Sequence, residues 1–163
     1  MESAIVQSIE KMIEDKISFY QDLHRCFNEE RSALINVDVT ALWQIFSEKE
    51  LLCSEITRIR QEITSVAAPW VVLKSFDLKA LFPVIPRKNI GSFHMLDQRL
   101  DHLKKEIEGL RKHNMIFMND SLQFLDDMMV IISRVGRSDV QVVYNRQCSL
   151  NHGKTTHFLS QEV

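Results

Sequence analysis

The stretch "LDQRLDHLKKEIEGLRKHNMIFMNDS", residues 96–121, decides how the rest of the chain is read. Its Leu96, Leu100, Leu103, Ile107, Leu110, Asn114, Phe117 and Ser121 recur in alternating steps of four and three. That spacing is the seam of a left-handed coiled coil, because a period of 3.5 keeps one narrow row facing a partner helix. Asp97, Arg99, Lys104, Glu108 and Arg111 fall outside the row, so this part of the helix needs only one groove to dock in. Ser92 offers an N-capping hydroxyl and Gly136 a stop, which predicts a helix over 92–135. At 1.5 Å per residue that helix is roughly 65 Å long.

Upstream, residues 1–68 contain neither Gly nor Pro, and the periodicity again reads as long helices. Ile9, Met12, Phe19, Leu23 and Cys26 form one row interrupted by Lys16, with Ile13, Ile17, Tyr20 and Phe27 beside it. "INVDVTAL" provides Asn36 or Asp38 as the cap of a second helix, whose row is Leu42, Phe46, Leu52, Ile56, Ile59, Ile63 and Val66, with Lys49 inside it. The predicted helices therefore span about 3–35, 39–67 and 92–135. Between the last two lies "APWVVLKSFDLKALFPVIPRKNIG", residues 68–91, apolar but aperiodic, and holding all three prolines. It reads as an irregular Pro- and aromatic-rich crossover with one helical turn near Asp77 to Phe82, its Trp70, Phe76 and Phe82 plugging one end of a bundle. The expected fold is all-α: an elongated antiparallel coiled-coil bundle of three long helices over residues 1–136, followed by a flexible polar tail over 137–163.

Two polar residues intrude on these rows. Asn114 within the third seam is expected to fix helix register by pairing with another buried polar group. Lys49 is expected to lay its methylenes along the core and lift its ammonium toward water.

Composition removes several function classes. Twenty Lys and Arg against 22 Asp and Glu leave a net charge of −2 with no long run of either sign, which gives no reason to expect nucleic acid or membrane as a partner. The apolar runs are too short to span a bilayer, and "MESAIVQSIEKMIEDK" lacks the basic-then-apolar pattern of an export signal. Three widely spaced cysteines, Cys26, Cys53 and Cys148, suit free thiols in a reducing cytoplasm. No Glu precedes any of the six histidines by three positions, so the Glu-x-x-His pairs of a di-iron bundle are missing. Cys148, His152 and His157 are too loosely spaced to be read as a metal site. His102 with Lys105 hints at a phosphotransfer histidine, but bulky, acidic Glu106 stands where such modules keep a small residue. Neither catalysis, nor a cofactor, nor a metal is expected.

Two stretches together resemble a known family. "ALINVDVTALWQIFSEKELLCSEITRIRQEI" is similar to the N-terminal hairpin of FlgN-like flagellar export chaperones, through Ala33, Leu34, Asp38, Leu42, Lys49 and Leu52. "NMIFMNDSLQFLDDMM" resembles the signature of that family's last long helix at Asn114, Ser121, Leu122 and Phe124. "YNRQ" from Tyr144 approximates the family's tail motif, with Asn145 where an acid is usual and no Gly before Gly153. The resemblance covers roughly residues 1–147. It implies a cytoplasmic, non-enzymatic type III export chaperone, a monomer or weak dimer. Such a chaperone holds hook-filament junction (hook-associated) proteins by their C-terminal helical segments and delivers them to the flagellar export gate. It also implies that Tyr144 docks on the gate or the client. The competing reading is a coiled-coil adaptor or homodimeric structural bundle unrelated to flagella.

Beyond Asn114 the third helix changes character. Four of the seven methionines lie in "HNMIFMNDSLQFLDDMMVIISRVG", residues 113–136, where a second row opens: Met115, Met118, Leu122, Leu125, Met129 and Ile132. It runs beside Phe117, Phe124, Met128, Ile131 and Val135, which roughly doubles the apolar face. Either both rows are buried against the other two helices, or one is left for a client. Methionine suits the second use, because its flexible, polarizable side chain adapts to differing partner surfaces. The six residues Met115 to Ile132 of that row are the candidate client-binding face.

Overall fold

In a computed structural model, residues 2–71 and 78–146 are described, with side chains described as far as residue 134. Among the described residues there are four helices and no strand: α1 (Ser3–Asn36), α2 (Val39–Ala67), a 3-10 helix (Leu78–Val84) and α3 (Arg87–Arg146). No described helix is long and apolar enough to cross a membrane. The chain divides into two compact units, one ending at Asn119 and the other beginning at Asp120.

The first unit is held by apolar side chains from α1, α2, the 3-10 helix and the first half of α3. At one end Val6, Ile9 and Ile13 of α1 meet Ile63 and Ala67 of α2 and Phe93 and Leu96 of α3, all buried. Leu78, Leu81 and Ile85 close this end. Farther along, Leu23 and Phe27 of α1 pack with Ile107 of α3, flanked by Leu52 and Ile56 of α2. Beyond that, Cys26 and Ala33 meet Ile45. As α1 advances, its partners on α2 recede in sequence and its partners on α3 advance. Consequently α2 runs antiparallel to α1, and this part of α3 runs parallel to it.

The turn between α1 and α2 follows from its local chemistry. Asp38 caps α2, its carboxylate accepting from the amide of Ala41 at 3.0 Å. Val37 carries the reversal at φ 55, with its amide on Leu34 O at 3.3 Å and the Asp38 amide on Ala33 O at 2.9 Å. This is a Schellman closure, a position that usually takes Gly, because a Cβ crowds the backbone at positive φ. A β-branched, 77% exposed valine there is a strained choice.

Several boundaries and faces differ from the sequence reading. α3 starts at Arg87 rather than near Ser92. Pro86 does not block it. Proline's fixed φ and missing amide are compatible with a helix's first turn, and the Asn89 amide bonds back to Pro86 O at 2.9 Å. Ser92, freed from capping, donates instead to Glu10 across on α1. At the other end α3 continues through Gly136 to Arg146, and no described glycine adopts positive φ. Glycine inside a helix costs about 1 kcal/mol and does not by itself break one. In α2, Phe46 is 48% exposed and Ile45 is the buried residue. The crossover's plug is made of Leu78, Leu81 and Ile85, while Phe82 packs on their flank. Trp70 is exposed, and Phe76 lies outside the described residues.

Candidate functional site

The third-helix seam separates into two regimes. Leu96, Leu100, Ile107 and Asn114 are buried, and Leu103, Leu110 and Phe117 are half-buried. The second row is open to solvent. In the first unit Met115 and Met118 are 47% and 46% exposed. In the second unit Leu122, Leu125, Met129 and Ile132 are 49% to 60% exposed. Phe124, Met128, Val130 and Ile131, beside them in the second unit, are exposed too. A shallow groove of about 300 Å³ lies among Met129, Val130, Ser133 and Arg134.

Within the first unit two polar contacts give the alignment of α1 and α3. Ser92 faces Glu10 across 82 positions, and Asn114 faces Glu30 across 84.

A polar latch marks the last covered level. The Asn114 amide donates to Phe27 O at 2.9 Å and to Glu30 Oε2 at 3.0 Å. Both partners are acceptors, so the NH2 group must face them, and Asn114 Oδ1 is left buried without a partner. Glu30 in turn receives Lys49 Nζ at 2.5 Å, and the same ammonium lies 4.7 Å from the Phe27 ring centre. Residues from all three long helices thus join one network. Asn114 pairs with a polar group as expected, whereas the Lys49 ammonium, expected to be lifted toward water, is turned onto Glu30 and the Phe27 ring. Close by, the Arg31 guanidinium stacks 4.5 Å over the Phe117 ring.

Among the described residues, the other titratable groups form no assembled reaction centre. His102 Nε2 lies 3.5 Å from Glu106, one turn along an exposed face. Cys26 is buried and free, its thiol pushed up to about 11 chiefly by burial, so it is a poor nucleophile at neutral pH. Among the described residues no three His, Cys, Asp or Glu side chains gather as metal ligands. The loose group Cys148, His152 and His157 lies outside the described residues, as does the side chain of Tyr144, whose backbone belongs to α3. The expected tail lies outside them from residue 147 onward.

A second exposed apolar patch was not legible in the sequence. Ile35, Val37 and Val39 at the α1–α2 turn are 57% to 77% exposed. Trp43 and Phe46 follow on α2, with ring centres 6.2 Å apart, edge to face. Phe46 continued the helical period of the core row, which hid its outward position.

A family model described as "FlgN protein" matches residues 1–151. Comparison with curated proteins and with solved structures gave no match.

Proposed function

The chain belongs to the FlgN family, the flagellar export chaperones, and on that premise we propose that it holds hook-associated proteins in the cytoplasm by the apolar face of α3. It covers their C-terminal helical segments, prevents premature assembly and delivers them to the type III export gate. FlgN proteins are chaperones, a family not known for catalysis. The antiparallel coiled-coil bundle of three helices serves as the scaffold. The chain is a monomer or weak dimer without client.

The observation that carries this reading is the open surface itself. Eleven large apolar residues between Met115 and Ile132 are 40% to 63% exposed. Such a stretch is what an amphipathic client helix needs, since its own i, i+3, i+4 row can lie along it. Covering a medium-sized apolar side chain is worth about 1.5–3 kcal/mol. Three or four such anchors among Met115, Met118, Leu122, Leu125, Met129 and Ile132 support micromolar binding once association costs are subtracted. Tyr144, farther along α3, is proposed to contact the gate or the client.

Co-purification with the C-terminal segments of the same organism's hook-associated proteins tests the proposal. Capture that fails for every such segment refutes it. Light scattering separates it from the structural-bundle reading, which requires a stable oligomer with no client added.

A further inference from the structure

The apolar patch at the α1–α2 turn is a second candidate interface, and it owes nothing to the α3 face. Val39, Trp43 and Phe46 of α2 follow steps of four and three, so they form one row along the helix, and all three are exposed. Ile35 and Val37 extend the patch onto the turn. Exposed carboxylates close the row at both ends, Asp38 just before Val39 and Glu50 one step of four beyond Phe46. At 1.5 Å per residue the two acids lie roughly 18 Å apart along α2. We propose that this face docks an amphipathic helix of another protein, one whose own apolar row is bracketed by Lys or Arg about three turns apart.

Charge decides between the occupants that such a face could take. From Val37 to Glu50 the only cation is Lys49, and its ammonium is turned onto Glu30 and the Phe27 ring. Across on α1, Arg25 is held by Glu29 and Glu48, and Arg31 stacks over Phe117. Asp38 accepts from the Ala41 amide of its own helix. Among the described residues no salt bridge includes Asp38 or Glu50. A second copy is disfavoured, since laying one acid-bracketed row on another brings carboxylate to carboxylate in either direction. An anionic membrane is disfavoured on the same ground. A basic helix meets no such repulsion. Its apolar row covers Val39, Trp43 and Phe46 while its cations face Asp38 and Glu50. Trp43 and Phe46, packed edge to face, also supply a ridge of the aromatic type that anchors interfaces.

Trp43 becomes its own reporter once Trp70, the only other tryptophan, is removed by Trp70→Phe in the full chain. Two synthetic helical peptides serve as probes, with the same leucine row and with either Lys or Glu at the bracketing positions. The Lys peptide should shift Trp43 emission to the blue saturably, and added sodium chloride should weaken its binding. Phe46→Ser should abolish the shift. Asp38→Asn combined with Glu50→Gln, which keeps the helix cap, should weaken binding by about 3- to 10-fold, the loss of two exposed charge pairs. Leu122→Asp with Met129→Asp should leave it unchanged, and a shift lost there belongs to the α3 face and overturns the proposal. So does an equal response to the Glu peptide, or no response to either peptide. A blue shift that grows with protein concentration alone assigns the face to a second copy. One produced only by phosphatidylcholine vesicles assigns it to lipid, and both results overturn the proposal.

Discussion

Residues 93–114 and 115–132 of α3 carry apolar side chains at the same three-and-four spacing, yet the first row is inside and the second is outside. Phe93 and Leu100 are at most 1% exposed, whereas Leu122 and Leu125 are 57% and 58% exposed. Helical period reveals which residues share a stripe. It says nothing about whether another helix reaches that stripe, because coverage depends on where the neighbouring elements end. Within the first unit the alignment of α1 with α3 is marked by the Ser92–Glu10 and Asn114–Glu30 contacts.

Truncating one residue in each row is the most direct attempt to break this comparison. Phe93→Ala should cost about 3–5 kcal/mol in denaturant unfolding, since it opens a cavity in a fully packed level. Leu125→Ala should change stability by less than about 0.5 kcal/mol, as surface changes do. A large cost at Leu125 would mean that the exposed row is structural after all.

Charge reverses the order of importance. Met129→Asp or Leu122→Asp should weaken binding of a hook-associated C-terminal segment by about 10- to 100-fold in titration calorimetry, the loss of one well-covered anchor. The melting temperature of the free chain should hardly move. Unchanged affinity in a folded variant removes that residue from the proposed client face.

Lys16 sharpens the description of the covered region. Its depressed pKa means that the unfolded chain binds the extra proton between about pH 8 and about 10.5. Its contribution to stability is therefore poorest below pH 8 and improves as pH rises through that window. Lys16→Met should stabilise by on the order of 2 kcal/mol at pH 7, and the advantage should shrink toward pH 10.5. Cys26 acts oppositely, because its raised pKa makes stability fall as the unfolded thiol ionises from about pH 9. Measuring wild type and variant side by side cancels that contribution.

The smallest effect expected is at the turn where α1 ends. Val37→Gly should gain about 1 kcal/mol in chemical denaturation, since it relieves a branched side chain at positive φ. A loss there would mean that the valine's apolar contact outweighs its strain.

Much of the first unit was legible because its signals are local. Asp38 caps the helix that begins at Val39, and the Leu96–Phe117 row faces inward, since side-chain oxygen chemistry and helical period need no knowledge of the fold. Where neighbours decide, the reading failed. Pro86 looked like a barrier and instead precedes the first residue of α3. Gly136 looked like a stop and is passed. Phe46 matched the core period, but α2 is rotated so that Ile45 points inward. The cavity between the three long helices, lined by Lys16, Arg60 and Lys104 among others, left no linear trace at all, because those residues meet only when three helices take one relative rotation. For the candidate face, the row is legible in helical period, and its uncovered state only in the structure.

The Asn114 latch routes both of its contacts to α1, Phe27 O and Glu30, through a single nitrogen. Both groups that it addresses are oxygens, so replacing the amide with an acid of the same shape would turn attraction into repulsion beside Glu30. A spontaneous loss of ammonia at this one side chain would make that exchange without any mutation. Chemical ageing of stored protein would then register as slippage between rods rather than as a hole in their packing.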